Sequence, residues 1–485
     1  MQVHVQNRFK GIVRRWRALA PVCTAWLLAW WLCACASGEN HPVAASNAPA
    51  DAPVRPPNIL LVYADDLGFG ELGCQGQTLI ATPHIDRLAA RGRRYTQAYT
   101  GAPVCAPARC MLLTGRASGE AQVRDNLELP GEGQQPLAAG TPTLPGALRA
   151  AGWATALVGK WGLGPVGSSG DPRAQGFDRF FGYACQRHAH DHSPAWLRDD
   201  DRKVELAPGT YAPDLFLERA LEFVRTRGDE RPFFLMYATT IPHMAMEVPE
   251  DSLAEYRGRF EETPYTGGKG YTPHPTPRAA YAAMITRLDR DIGALLAELE
   301  RRGELERTLV VVTSDNGPTH DVGGVDTSFF DSTDGLRGRK GSVHEGGLRV
   351  PLVVAGPGVA QGVSDRIVVG WDLAGTLLEL CDAPSIGGEG VSFASELSGG
   401  ACPPRAPIAW HFPGYGGQRA ARMGRWKVVQ RGLAKDADAA IELYDLDADP
   451  GESRDLAARH PEVVDEARRL WRERSESPVA AWNLP

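Results

Sequence analysis

A mainly parallel α/β sheet with helices on both faces, followed by a small α+β subdomain, is what three features of this chain predict. Continuous apolar runs end in ionisable residues, helical periodicities alternate with those runs, and the texture of the chain changes near residue 400.

The apolar runs are "NILLVYADD" from Asn58, "PFFLMYATTIPH" from Pro232 to His243, and "TLVVVTSDNG" from Thr308 to Gly317. Uninterrupted hydrophobicity of this kind suits strands buried on both faces, as in a parallel sheet. Between them, "YAAMITRLDRDIGALLAELERRG" repeats apolar residues at helical spacing: Tyr281, Met284, Ile285, Leu288, Ile292, Leu295, Leu296 and Leu299, with Gly303 as a C-cap. "YAPDLFLERALEFVRTRG" behaves alike. Ligand sites in such sheets form beyond the carboxyl ends of the strands, where these runs place their acids and histidine. After "APIAWHFPGYGG", the stretches "RAARMGRWKVVQ" and "IELYDLDADPGESRD" read as short strands and a turn. The helix "PEVVDEARRLWRERS" follows them. The chain thus divides into 1–35, a targeting segment; 36–57, a flexible tether; 58–400, the main domain; and 401–485, the subdomain.

The first 35 residues carry the five cations Arg8, Lys10, Arg14, Arg15 and Arg17 and no acid, ahead of "ALAPVCTAWLLAWWLCACA". That apolar run is short for a membrane span with ordinary flanks and reads as an export signal. Leu32-Cys33-Ala34-Cys35 resembles a lipobox, with Cys35 as the lipidated cysteine and Cys33 an unusual choice at its position. A plain cleaved signal peptide or an uncleaved anchor are the alternatives. Each places the body outside the cytoplasm, in the periplasm or at the cell surface. "SGENHPVAASNAPADAPVRPP" is the Pro- and Ala-rich tether. The formal charge of the 485-residue chain is −7, and removing the five leader cations takes it to −12. So acidic a body offers no electrostatic footprint for nucleic acid, and an anionic substrate needs a locally cationic pocket. Cys74, Cys105, Cys110, Cys185, Cys381 and Cys402 lack the close pairing of a zinc ribbon, and no disulfide connectivity can be read from them.

Asp65-Asp66 and Asp315-Asn316 offer four oxygen ligands from two strand ends. Hard oxygen donors without adjacent Cys or His favour Ca²⁺, with Mg²⁺ second, over zinc or copper. Cys105, in "PVCAPARCMLLTGR", has three readings: half of a disulfide, a thiol nucleophile, or a residue rewritten after synthesis.

The stretch "CAPAR" followed by "CMLLTGR" resembles the C-x-P-x-R…TGR element of the type I sulfatases, arylsulfatase-like members of the alkaline phosphatase superfamily. An ordered set of further segments extends the resemblance over about residues 58 to 485. They are "TPHIDRLAARG", "ALVGKWGLG", "GFDRFFGY", "TIPHMAMEVPED", "SDNGPTH", "LRGRKGSVHEGGLRVPLVV" and "ELYDLDADPGESRD". The resemblance implies an alkaline-phosphatase-like large sheet sandwiched by helices, with 58–400 as the catalytic domain. It also implies that a formylglycine-generating maturase oxidises Cys105 to Cα-formylglycine. A hydrated aldehyde offers two hydroxyls on one carbon, one to attack sulfur and one to expel sulfate afterwards, which serine or a thiol cannot do.

By the same resemblance, Asp65, Asp66, Asp315 and Asn316 match the calcium ligands, with the modified Cys105 completing the site. Arg109 matches the arginine that supports the aldehyde hydrate. Lys160 and Lys340 match the lysines that hold the sulfate, and His243 the histidine that contacts substrate and protonates the leaving oxygen. Two positions depart from the family pattern. Ala108 stands where many members have serine. Gly162 stands where the family's Gly-Lys-Trp-His has the histidine that deprotonates the second hydroxyl. His188, His190 and His192 of "CQRHAHDHSP" are candidate substitutes, His190 foremost because it resembles a histidine of related sulfatases; a merely polar loop is the alternative. His320 and His344 lie in matched segments without an assigned role.

The expected activity is hydrolysis of sulfate esters, of sulfated carbohydrates or aryl sulfates. Two alternatives remain: a phosphate or phosphonate monoester hydrolase of the same superfamily, and a catalytically impaired, membrane-tethered protein that binds sulfated glycans.

Overall fold

The computed structural model describes residues 56–228, 231–268 and 271–485. The expected leader, the lipobox with Cys35, and nearly all of the tether lie outside the described residues. Among the described residues no helix is long and apolar enough to cross a membrane.

A ten-stranded mixed sheet runs through the main domain. Its centre comprises β1 (Asn58–Ala64), β2 (Ala154–Lys160), β3 (Arg179–Tyr183), β4 (Phe233–Ala238) and β5 (Thr308–Ser314). These lie side by side in the order β5-β1-β4-β2-β3, every adjacent pair parallel. β6 (Leu352–Ala355) pairs antiparallel with β5 and begins one flank. The other flank is an antiparallel pair, Trp196–Asp199 and Arg202–Glu205.

Alternate residues of β1 feed two separate cores. Ile59, Leu61 and Tyr63 face one side with α1 (Cys105–Thr114), while Leu60, Val62 and Ala64 face the other with α2 (Ala212–Thr226) and α3 (Pro277–Arg301). Every residue of β1 is buried, which is why the run is apolar without alternation. α3 ends at Arg301, and Gly303 beyond it takes φ +67°, the left-handed conformation of a helix stop.

The subdomain is a four-stranded antiparallel meander: β7 (Ile408–Phe412), β8 (Gln418–Met423), β9 (Trp426–Arg431) and β10 (Ile441–Asp445). α4 (Pro461–Leu470) closes a small core of Ala421, Val428, Leu443, Val464, Ala467 and Trp471 against it. Two buried contacts tie this sheet to the main domain. Trp410 Nε1 donates to the Thr100 carbonyl at 3.0 Å, and Lys427 Nζ meets Glu345 Oε1 at 2.7 Å.

Candidate active site

The parallel strands deliver their polar residues to one end of the sheet. Asp65 and Asp66 follow β1, Asp315 and Asn316 follow β5, Lys160 is the last residue of β2, and His243 lies five residues beyond β4. Because β5, β1, β4 and β2 are neighbours, residues 250 positions apart in the chain become adjacent, as Asn316 and Asp66 show.

Cys105 opens α1. Pro107 sits in the first turn, where its missing N–H removes nothing from the helix. Asn126 Oδ1 accepts the Ala106 N–H at 3.0 Å, satisfying one of the free donors there. Arg109 falls one turn after Cys105, so both side chains share a face of α1. That face meets the strand ends. Cys105 Sγ lies 3.3 Å from Asp65 Oδ1; Arg109 reaches Asp315 Oδ2 and the Lys160 carbonyl, each at 2.7 Å.

The cluster is dry and densely charged. Asp65, Asp66 and Asp315 are fully buried, Arg109 and Lys160 nearly so, and Lys340 only 8% exposed. Lys160 Nζ pairs with Asp65 Oδ2 at 2.7 Å and Lys340 Nζ with Asp66 Oδ2 at 3.0 Å. Burial alone would raise the Asp65 carboxyl, yet Lys160, His243, Arg109 and Lys340 outweigh it and hold it well below the usual carboxylate range. Asp315 goes the other way: burial, then the neighbouring Asp65 charge, push it up to about 7. Burial and Asp65 likewise push the Cys105 thiol far above its ordinary value, so this setting disfavours a thiolate nucleophile. The described cysteines, Cys105 included, are all free, which removes the disulfide reading.

Ligand atoms of Asp65, Asp66, Cys105 and Asp315 all lie within 4.8 Å of one another. Asn316 adds a carbonyl oxygen: its Nδ2 donates to Asp66 Oδ1 at 2.7 Å, while its buried Oδ1 has no hydrogen-bond partner. A buried acceptor without a donor, set against three carboxylates, fits a hard divalent cation. Three acids face three cationic side chains and Asp315 is partly protonated near neutrality, so the cluster is no worse than neutral and a bound divalent ion would make it attractive to an anionic ester.

The histidines separate by geometry. His243 Nδ1 lies 2.6 Å from the Met244 carbonyl, which only an N–H can satisfy, so Nε2 is the free nitrogen, 3.6 Å from Asp66 Oδ2. Burial and the nearby Lys340 depress its basicity. His190 stacks on His243, with ring centres 4.3 Å apart. Burial, then His243, push its pKa down to about 2, leaving a neutral imidazole. His188 packs instead between Tyr183 and Trp196, and His192 is buried against Tyr211. His344 pairs with Glu452 and stands beside Tyr444. His320 Nε2 meets Tyr415 Oη at 3.0 Å.

Gly162 has φ +85°, a conformation that favours glycine, and a Cβ there would lie 1.7 Å from Gln186 Nε2. Gln186 therefore fills the space at this departure from the family pattern. It is 3% exposed, and neither amide atom has a hydrogen-bond partner. Sequence reading passed over Gln186; the glycine at 162 was the one signal that something else fills the space.

Comparison with known proteins agrees with this picture. The family described as Sulfatase matches residues 57–383. The chain is 32% identical to arylsulfatase A of Homo sapiens over 475 residues, covering 86% of this chain and 88% of the relative. It is 28% identical to the N-acetylgalactosamine-6-O-sulfatase of Bacteroides thetaiotaomicron, covering 85% and 92% of the two chains. The solved structure of Ps i-CgsB in complex with k-i-k-neocarrahexaose shares the fold, with a TM-score of 0.74 at 24% identity, over 88% of this chain and 95% of that one. The chain therefore belongs to the type I sulfatase family and is a sulfuric ester hydrolase.

Proposed function

We propose that this protein is an exported, calcium-dependent sulfatase that hydrolyses sulfate esters of carbohydrates through a formylglycine made from Cys105. The observation that carries this reading is the position of Cys105. It stands at the start of α1, against Asp65, within a cluster of three acids, an unpartnered amide oxygen and three buried cations. Carbohydrate as substrate is supported by the relatives, one an N-acetylgalactosamine-6-O-sulfatase and one solved in complex with k-i-k-neocarrahexaose.

Asp65, Asp66, Asp315, Asn316 and the modified Cys105 would hold the ion, which supplies positive charge against the sulfate oxygens. The donor set is hard and irregular, which suits Ca²⁺ better than the strictly octahedral Mg²⁺. Formylglycine, as its hydrate, supplies a hydroxyl to attack sulfur and a second to release sulfate. Arg109, fixed by two 2.7 Å hydrogen bonds, orients residue 105. Lys160 and Lys340 offer ammonium donors from two sides to a sulfate placed between them. Lys340 Nζ delivers the proton that the departing alcohol needs, while neutral His243 contacts the substrate through Nε2 as an acceptor. His190, unprotonated and stacked on His243, is the candidate for the base that Gly162 does not supply, a role that requires the bound sulfate's negative charge to raise its depressed basicity.

The lipobox-like Leu32–Cys35 and the tether support attachment to a membrane through lipid on Cys35, with the body in the periplasm or at the cell surface. Release of the Cys35→Ser protein from the membrane fraction tests this.

Peptide mass spectrometry across Cys105, on protein co-expressed with a formylglycine-generating maturase, tests the chemistry together with a sulfate-release assay. An aldehyde at 105 with sulfate release is the expected result. An unmodified thiol in native membrane material would overturn the mechanism and favour the sulfoglycan-binding alternative. Preferential turnover of phosphate or phosphonate monoesters would favour the other.

A further inference from the structure

Tyr415 lies in the turn between β7 and β8, and it is 59% exposed, the most exposed large hydrophobic side chain among the described residues. It also holds φ +50°, unusual for an aromatic residue, and such backbone conformations concentrate at functional sites. An exposed aromatic ring held in an unfavourable turn calls for a reason beyond packing.

Its surroundings supply one. A Cβ on Gly341 would lie 2.7 Å from the Tyr415 ring, so the ring rests directly against the backbone next to Lys340. His320, which follows β5, stacks on the same ring at 5.6 Å and bonds its hydroxyl. The subdomain thus extends an aromatic face to the rim of the cluster. Burial raises the pKa of the Tyr415 hydroxyl, Lys340 lowers it, and Asp66, Cys105 and Asp125 raise it further, which agrees with that placement.

Asp125 arrives from a third segment. A Cβ on Gly414 would stand 2.7 Å from its carboxylate, which places the acid beside the Tyr415 turn. Burial pushes the Asp125 carboxyl up to about 6, and its one hydrogen bond comes from the Asn126 N–H at 2.8 Å. Among the described residues no cation pairs with it. A half-desolvated carboxylate with spare lone pairs accepts O–H donors. A pyranose offers both features this rim would recognise: a face of C–H bonds to lie on an aromatic ring, and hydroxyls to donate to a carboxylate. An aryl ring can stack on Tyr415 through its π face but has no hydroxyl to donate to Asp125.

We propose that Tyr415 and Asp125 form the subsite for the sugar ring that carries the sulfate, Tyr415 as its stacking face and Asp125 as acceptor of its hydroxyls. This rests on the carbohydrate sulfatase reading above and assigns the C-terminal subdomain a part in substrate choice.

The test compares wild type, Tyr415→Ala, Tyr415→Phe and Asp125→Asn in their formylglycine form. Substrates are galactose 2-, 4- and 6-sulfate, N-acetylgalactosamine 4- and 6-sulfate, and 4-nitrophenyl sulfate. For the best sugar sulfate, Tyr415→Ala and Asp125→Asn are expected to raise KM about tenfold, with the loss on KM rather than kcat. In Asp125→Asn the preference for sugar over aryl ester falls by a similar factor, because the aryl ester makes no use of that acceptor, whereas Tyr415→Ala weakens both esters. Tyr415→Phe keeps the ring and stays within about threefold of wild type in KM for the sugar sulfate. An unchanged KM for the sugar sulfates in both Tyr415→Ala and Asp125→Asn, or a wild type active on the aryl ester alone, overturns the subsite while leaving the sulfatase intact. If no ester turns over, the parent reading fails, and calorimetry on Cys105→Ala protein still decides the subsite. Tenfold weaker binding of the sugar sulfates on adding Tyr415→Ala supports it, and equal binding overturns it.

Discussion

Gln186 Nε2 lies 1.7 Å from the position a Cβ on Gly162 would take, so Gln186 and any larger residue at 162 exclude one another. Replacing Gly162 by alanine adds a methyl to a filled space at φ +85°. We expect Gly162→Ala to lower stability by about 2–3 kcal/mol, measured by denaturant unfolding. Adding Gln186→Ala removes the collision and leaves about 1 kcal/mol of backbone strain. Additive effects of the two changes would show that they do not share this space.

His190 and His188 are neighbours in sequence with different surroundings. His190 stacks on His243, whereas His188 packs between Tyr183 and Trp196. His190→Ala is expected to lower kcat on the order of 100-fold with little change in melting temperature. His188→Ala shows the reverse, a lower melting temperature with turnover close to wild type. Steady-state kinetics paired with thermal melts separate the two.

Chelation tests the unpartnered Asn316 Oδ1 and its carboxylate neighbours. Removing divalent ions is expected to abolish sulfate release and lower the melting temperature, and Ca²⁺ restores both. Asn316→Ala weakens the restoring ion's affinity on the order of 10–100-fold, read from the Ca²⁺ titration. Activity indifferent to chelator would refute the ion.

The buried Lys427–Glu345 pair, 2.7 Å apart, joins the subdomain to the main domain. Burial would raise the Glu345 carboxyl, but Lys427, Arg349 and Arg422 outweigh it and hold it well below the usual range. A folded-state value below the unfolded one contributes stability that is fully present above the unfolded value, roughly 4.3, and is lost as pH falls through the folded value. Unfolding free energy is therefore expected to fall on acidification below about pH 4.5, and this slope flattens in Glu345→Gln. At neutral pH, Lys427→Met removes one of the two cations paired with Glu345 while Arg349 remains, and costs about 3 kcal/mol, the low end for breaking a buried pair. Combining it with Glu345→Gln recovers most of that loss.

The sheet was legible because burial on two faces demands apolar residues at every position, and such a demand is written locally in "NILLVYA" and "TLVVVTS". The alternation of these runs with amphipathic helices was enough for a mainly parallel α/β arrangement, and the meander after residue 400 announced itself by its change of texture. Asp65, Asp66, Asp315 and Asn316 were visible for a related reason: each follows directly on a strand, so position along the chain and position at the end of the sheet coincide. Cys105 and Arg109 share a helix face, another local rule.

Gln186, Asp125 and Tyr415 carry no such mark. Gln186 matters through the space left at Gly162, 24 residues earlier, and Tyr415 through Gly341, in a different part of the fold. Sequence by itself determined the strands, the helices and the residues that strand ends and helix faces must present, since those follow from short-range periodicity and burial. Which histidine stands beside His243, what fills the gap at Gly162, and which ring rests against Gly341 were decided only by tertiary structure. Those are contacts between segments far apart in the chain, and their steric complementarity exists only once the sheet order has brought the segments together.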